Sequence, residues 1–146
     1  MQTYIKRFDQ LSTHELYQIL KLRVDVFVVE QSCPYEEIDN LDYEAIHVYF
    51  KEADEIIAYL RILDKGVESE DVAIGRVISA KRRCGIGSKL LSEGIKSAKE
   101  NFKAEKIYIE AQSYARKFYE NLGFEQISEE FLLDDIPHIK MELIVD

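Results

Sequence analysis

The sequence predicts one mixed α/β (α+β) domain, and three observations carry that expectation. A chain of 146 residues fits a single domain and can bury about 68–70% of its unfolded surface, enough for a core without staples. Apolar spacing switches between period 2 and period 3.6 along the chain, so strands and helices alternate. There is no repeat, no low-complexity tract and no Pro/Gly-rich linker; Pro34 and Pro137 are the only prolines. Residues 1–146 are therefore read as one unit.

The elements follow in order. Thr3–Phe8 reads as a strand. Ser12 is placed to cap a helix, with Glu15 closing a capping box and Leu11 and Leu16 forming a hydrophobic staple. Leu16, Ile19, Leu20 and Phe27 keep the helical period, and the stretch Val26–Gln31 ends it. Residues 32–44 read as an irregular acidic loop. Ile46–Lys51 and Ile56–Leu63 are strands by β-branched and aromatic content, joined as a hairpin by residues 52–55. Val72–Ile78 is a further strand. Ile86–Asn101 is a long helix with Leu90, Leu91, Ile95, Ala98 and Phe102 on one stripe. Lys106–Ala111 is a strand. Ala115, Phe118, Tyr119 and Leu122 mark a short helix, which Gly123 caps. Phe124–Ser128 and Ile139–Val145 close the chain as strands. The order βα–βββ–α–β–α–ββ implies antiparallel pairing with a local parallel step.

Composition narrows the function classes. The net charge of −9 works against nucleic acid and against anionic membrane surfaces. No apolar run approaches the ~20 residues of a membrane span, and the N-terminus lacks the apolar stretch of a signal peptide. Cys33 and Cys84 cannot build a disulfide framework, and His14, His47 and His138 are singletons without metal-site spacing. A cytoplasmic protein with free thiols and no metal is expected.

Charge is unevenly spread. Residues 76–92 hold five cations (Arg76, Lys81, Arg82, Arg83, Lys89) and no acid, leaving −14 on the rest. A strand therefore runs into a cationic, glycine-bearing turn that opens a long helix. Glycine lets a ligand approach the main chain. The first N–H groups of the helix are unsatisfied donors, reinforced by the helix dipole. This hardware suits a pyrophosphate; the plainer alternative is a solvated basic loop. The turn is not a Walker A loop, because the first glycine is missing and Ser88 precedes Lys89. Nor is it a dinucleotide fingerprint, because Leu90 stands at the third glycine.

Arg82-x-x-Gly85-x-Gly87 resembles the [Gln/Arg]-x-x-Gly-x-[Gly/Ala] motif of the GCN5-related N-acetyltransferase (GNAT) family. Ala115–Phe124 is similar to that family's A-x-x-x-Y-x-x-x-G-F signature. Residues 28–35 and 136–141 further resemble the ElaA-like subgroup. The resemblance implies a mixed central sheet of about six to seven strands flanked by helices, an acetyl-CoA site and direct transfer of acetyl to a small-molecule or peptide amine. Arg82, Arg83, Cys84, Gly85, Ile86, Gly87 and Ser88 would surround the pyrophosphate, with the backbone of 83–88 as its cradle. Val77 and Ile78 would pair with the pantetheine arm, with Gln112 and Phe118 as further cofactor contacts. The family's strands at 72–78 and 106–111 splay apart to admit that arm. A homodimer is the family-like expectation.

The chemistry needs a neutral amine. A lysine-like amine is neutral about once in 2,500 molecules at pH 7, which costs roughly 4.6 kcal/mol; a base offsets part of that. A backbone N–H near Ile78 is placed to hold the thioester carbonyl. By the resemblance, Tyr119 is the general-acid tyrosine; the plainer alternative is a core tyrosine. Proton transfer from tyrosine to thiolate is uphill by about 2 kcal/mol, so Tyr119 is expected first as a hydrogen-bond donor to sulfur. The strand 72–78 offers no acid as base. Glu110 and Gln112, at the end of the next strand, and Glu30 are the candidate bases, with Glu110 taken as the catalytic one, although each is more often a polar surface residue. Glu30, Tyr35, His47 and His138 are candidates for the acceptor pocket, although lone histidines are more often structural. Residues 29–46 carry six acids and no Lys or Arg, a candidate for steering a cationic amine. Two rivals stay open: a non-catalytic acyl-CoA binding or sensing module, and an unrelated phosphate-ligand domain.

Overall fold

The computed structural model describes residues 1–32, 36–79 and 85–145. Strand β1 (Gln2–Arg7) leads through a 3-10 turn to helix α1 (Thr13–Val24). Ser12 caps α1 as expected: its hydroxyl accepts from Glu15 N–H, and Glu15 accepts from Ser12 N–H at 2.9 Å. Glu15 is also tied to Lys6, Lys51 and the Tyr49 hydroxyl, which fastens α1 to the sheet. Burial opposes its charge, but these donors overcome that and hold its pKa well below the carboxylate range. The helix runs on into a π-helical stretch, Asp25–Glu30.

Strands β2 (Ile46–Glu52), β3 (Glu55–Leu63) and β4 (Val72–Ser79) form an antiparallel meander with β1. Helix α2 (Ile86–Phe102) crosses over to β5 (Lys106–Gln112), which lies parallel to β4. Short helix α3 (Arg116–Glu120) precedes β6 (Glu125–Gln126), β7 (Phe131–Leu133) and β8 (Ile136–Ile144). The sheet order is β1-β2-β3-β4-β5-β8-β6, and β7 pairs with β8. The mixed fold is the expected one. The sheet gains an eighth strand because Asp134 and Asp135 both take positive φ (50° and 62°). They form a tight turn that the sequence does not announce with glycine.

The two faces of the sheet differ. Leu90, Leu91 and Ala98 of α2 pack with Val48, Leu60, Ile74, Ile107 and Ile109 as the main core. On the other face Ile19 of α1 packs with Tyr49 and Tyr59. Arg23, His47 and Arg61 on this second face are also fully buried.

Those arginines take three of the six acids out of the steering expectation. Arg23 bonds Glu37 and Asp42, each at 2.6 Å. Arg61 grips both carboxylate oxygens of Asp39 (2.9 and 2.7 Å) and reaches Asp42 at 3.1 Å. Arg76 bonds Glu37 at 2.8 Å. Glu37, Asp39 and Asp42 are thus spent on a buried ion network, not on attracting a ligand. Arg76 likewise belongs to this network rather than to the basic turn. Sequence reading counted charges per segment and could not see a partner 39 residues away.

Candidate functional site

β4 and β5 pair only at Val72–Ile107 and Ala73–Tyr108. Beyond that point the strands part. A bulge helps: between the pairs Arg61–Gly75 and Tyr59–Ile78, β4 holds one residue more than β3, and Arg76 there has φ 55°. The expected splay is therefore present, and a cavity of about 930 Å³ passes through it from one face of the sheet to the other.

On the α2/α3 face the cavity meets Gly85, Gly87, Ser88, Phe118 and Tyr119. Gly85 caps α2 at φ 67°, a conformation that favours glycine. The first bond of this turn is Lys89 N–H to Gly85 O at 3.2 Å, so the preceding N–H groups at the start of α2 have no helical acceptor. A Cβ on Gly87 would stand 3.3 Å from the Phe118 ring, so the glycine keeps this wall open. Ser79 Oγ is buried beside the cavity without a hydrogen-bond partner among the described residues.

Tyr119 is 9% exposed and borders the cavity between Phe118 and Phe124, whose rings meet it edge-on. Burial pushes its pKa far up, so it stays a phenol and a donor.

On the α1 face the cavity is lined by Phe27 and Glu30 from the π-helical stretch, Gln31 just after it, Glu68 from the β3–β4 loop, Glu110 from β5, and Asp134 and His138 from the β7–β8 hairpin. Glu110 accepts from the Tyr108 hydroxyl at 2.8 Å. His138 donates Nδ1–H to Ile136 O at 2.7 Å. The Glu68 carboxyl is held above its usual range, first by burial and then by the neighbouring Glu110, against the pull of Arg61 and Arg76.

Of the residues singled out from sequence, Val77, Ile78, Gly85, Gly87, Ser88, Gln112, Phe118, Tyr119, Glu110, Glu30 and His138 line this one cavity. Arg82, Arg83, Cys84 and Tyr35 lie outside the described residues. Ile86 does not line it: the side chain is 6% exposed and packs in the main core. His47 is corrected outright. It is fully buried, donates Nε2–H to Asp42 O (3.0 Å) and accepts the Tyr59 hydroxyl on Nδ1 (2.6 Å). Burial lowers its pKa, so it is a neutral core histidine. Sequence reading missed Glu68 and the β7–β8 hairpin. Glu68 sits among Glu70 and Asp71 with nothing local to distinguish it.

Among the described residues no group of His, Cys, Asp and Glu is placed to hold a metal, and no helix is long and apolar enough to cross a membrane.

Several known proteins are similar to this chain in sequence and fold. Escherichia coli ElaA is 38% identical over 137 residues, 91% of this chain and 90% of that protein; its crystal structure superposes with a TM-score of 0.91. An acyl-CoA N-acyltransferase from Pseudomonas aeruginosa superposes at 0.90 with 36% identity, covering 98% of this chain and 99% of that one. An aminoglycoside 6'-N-acetyltransferase solved with coenzyme A shares the fold alone: its TM-score is 0.69 at 15% identity, over 97% of this chain and 96% of that one. The sequence profile of the acetyltransferase (GNAT) domain matches residues 12–145, and with ElaA so similar over nearly its whole length, the chain belongs to the GNAT family and to its ElaA-like branch.

Proposed function

We propose that this chain transfers acetyl from acetyl-CoA directly to a primary amine. The observation that carries the reading is the cavity at the β4–β5 splay, with the first N–H groups of α2, which have no acceptor among the described residues, at one end and carboxylates at the other.

The residues present fit the coenzyme. The start of α2 offers N–H donors and no acid in its first turn, as a pyrophosphate requires. Beyond Ala73 the β5-facing edge of β4 has no strand partner, which suits the amides of a pantetheine arm. The orphaned Ser79 Oγ gains a partner if a polar group occupies the cavity. Acetyl-CoA supplies the activated thioester.

The protein's part is positioning and charge management. The N–H groups of Gly87 and Ser88 anchor the diphosphate. The β4 edge at Val77 and Ile78 fixes the arm and offers an N–H to the carbonyl oxygen. Tyr119 donates a hydrogen bond where the leaving sulfur gathers charge. The test is to mix protein, acetyl-CoA and an amine panel, follow free thiol, and read the acetyl mass increment on the acceptor. Thiol release that depends on the amine supports transfer. Tight acetyl-CoA binding without release favours a sensing module.

A further inference from the structure

The two mouths of the cavity carry opposite chemistry. The α2/α3 mouth is lined by no acid among the described residues. The α1 mouth gathers Glu30, Glu68, Glu110 and Asp134 from four separate elements. Arg76 is the single described cation on the lining, and its guanidinium is committed to Glu37 and Asp39. These carboxylates are solvent-exposed and line one end of the cavity, so together they set a negative potential where a cation would enter. Glu110 lies two residues past Tyr108, the last β5 residue paired with β4, so it stands where the strands part. Glu68 is its electrostatic neighbour there, and two fifths of the Glu68 side chain still meets solvent.

Resting on the acetyl-transfer reading, we propose that the acceptor is a small di- or polyamine entering from the α1 mouth, with Glu68 and Glu110 holding the reacting ammonium and Glu68 taking its proton. One ammonium is matched by this pair. Glu30, at the end of the π-helical stretch, remains for a second positive group, and a monocation leaves it unmatched. Glu68 suits the proton because burial and Glu110 favour its protonated form, while Arg61, Arg76 and the Arg61-bound Asp39 set the surrounding field. The step balances: the ammonium gives one proton to Glu68, which returns it to solvent. The nitrogen lone pair forms the C–N bond to the thioester carbon, and the C–S pair leaves on sulfur. Sulfur takes the second proton shed by nitrogen and departs as thiol.

The test first measures acetyl-CoA binding by calorimetry. It then follows thiol release with 1,4-diaminobutane, 1-aminobutane and 4-aminobutanoate at fixed ionic strength. The diamine is expected to exceed the monoamine at least tenfold in kcat/KM, and 4-aminobutanoate to be poorest. Glu30→Gln is expected to erase most of the preference for the diamine. Glu68→Gln is expected to lower kcat at least tenfold at pH 7, with the deficit shrinking as pH rises toward the amine's own pKa; Glu68→Asp recovers part of the rate. Equal use of monoamine and diamine, a preference for 4-aminobutanoate, or an unchanged kcat in Glu68→Gln overturns this proposal alone. Bound acetyl-CoA with no release from any amine overturns the transfer reading and this proposal with it.

Discussion

Asp39→Asn probes the ion network that holds the loop at 36–44 against the bulged strand. Asp39 accepts from both Arg61 terminal nitrogens, from Leu41 N–H at 3.1 Å and from Arg76 at 3.4 Å, with 24% of its side chain exposed. Burial alone would raise its pKa. The Arg61 pair overcomes that and holds it at about 2 against an ordinary 3.8. A difference of this size corresponds to about 2 kcal/mol of stability. Because the folded pKa lies below the unfolded one, that stability is complete above about pH 4 and is lost as pH falls toward 2. Asparagine keeps the shape but not the charge, and its amide N–H₂ meets an Arg61 donor. Urea unfolding, followed by circular dichroism since the chain has no tryptophan, is expected to show a deficit of about 2 kcal/mol at pH 7 and about half of it near pH 3. A deficit below 0.5 kcal/mol at pH 7, or one that does not shrink on acidification, would refute the network's role.

Three further outcomes are expected. Tyr119→Phe should lower kcat about 10- to 100-fold while acetyl-CoA still binds; unchanged turnover would return Tyr119 to a purely structural place. Gly87→Val puts a branched side chain against the Phe118 ring, 3.3 Å from the Cβ position. It should weaken acetyl-CoA binding at least tenfold by calorimetry, with thermal stability as the control for folding. His47, buried and with its pKa lowered, should stay neutral in its NMR spectrum through pH 6.5. Its unfolded counterpart protonates there, so this residue's share of stability should decline as pH falls below about 6.5.

Much of the architecture is local and was legible. The Ser12–Glu15 box, the 3.6-residue stripe of α2, and the turn between Glu52 and Glu55 are set by neighbours within a few positions. The Gly85-x-Gly87 turn and the Tyr119 signature could be read because each needs particular residues at a fixed spacing. Glu68 could be assigned to the cavity, and His47 removed from it, only with coordinates.

The sequence by itself determined the element order as far as α3, the family and the glycine turn that opens α2, because these rest on short-range periodicity and motif spacing. Tertiary structure alone decided which acids are spent and which face the cavity. Glu37, Asp39 and Asp42 are matched by arginines 14 to 39 residues distant. Glu68 and Glu110 line one cavity where β4 parts from β5. The free energy of a carboxylate depends on what lies within a few ångströms, and chain distance does not specify that.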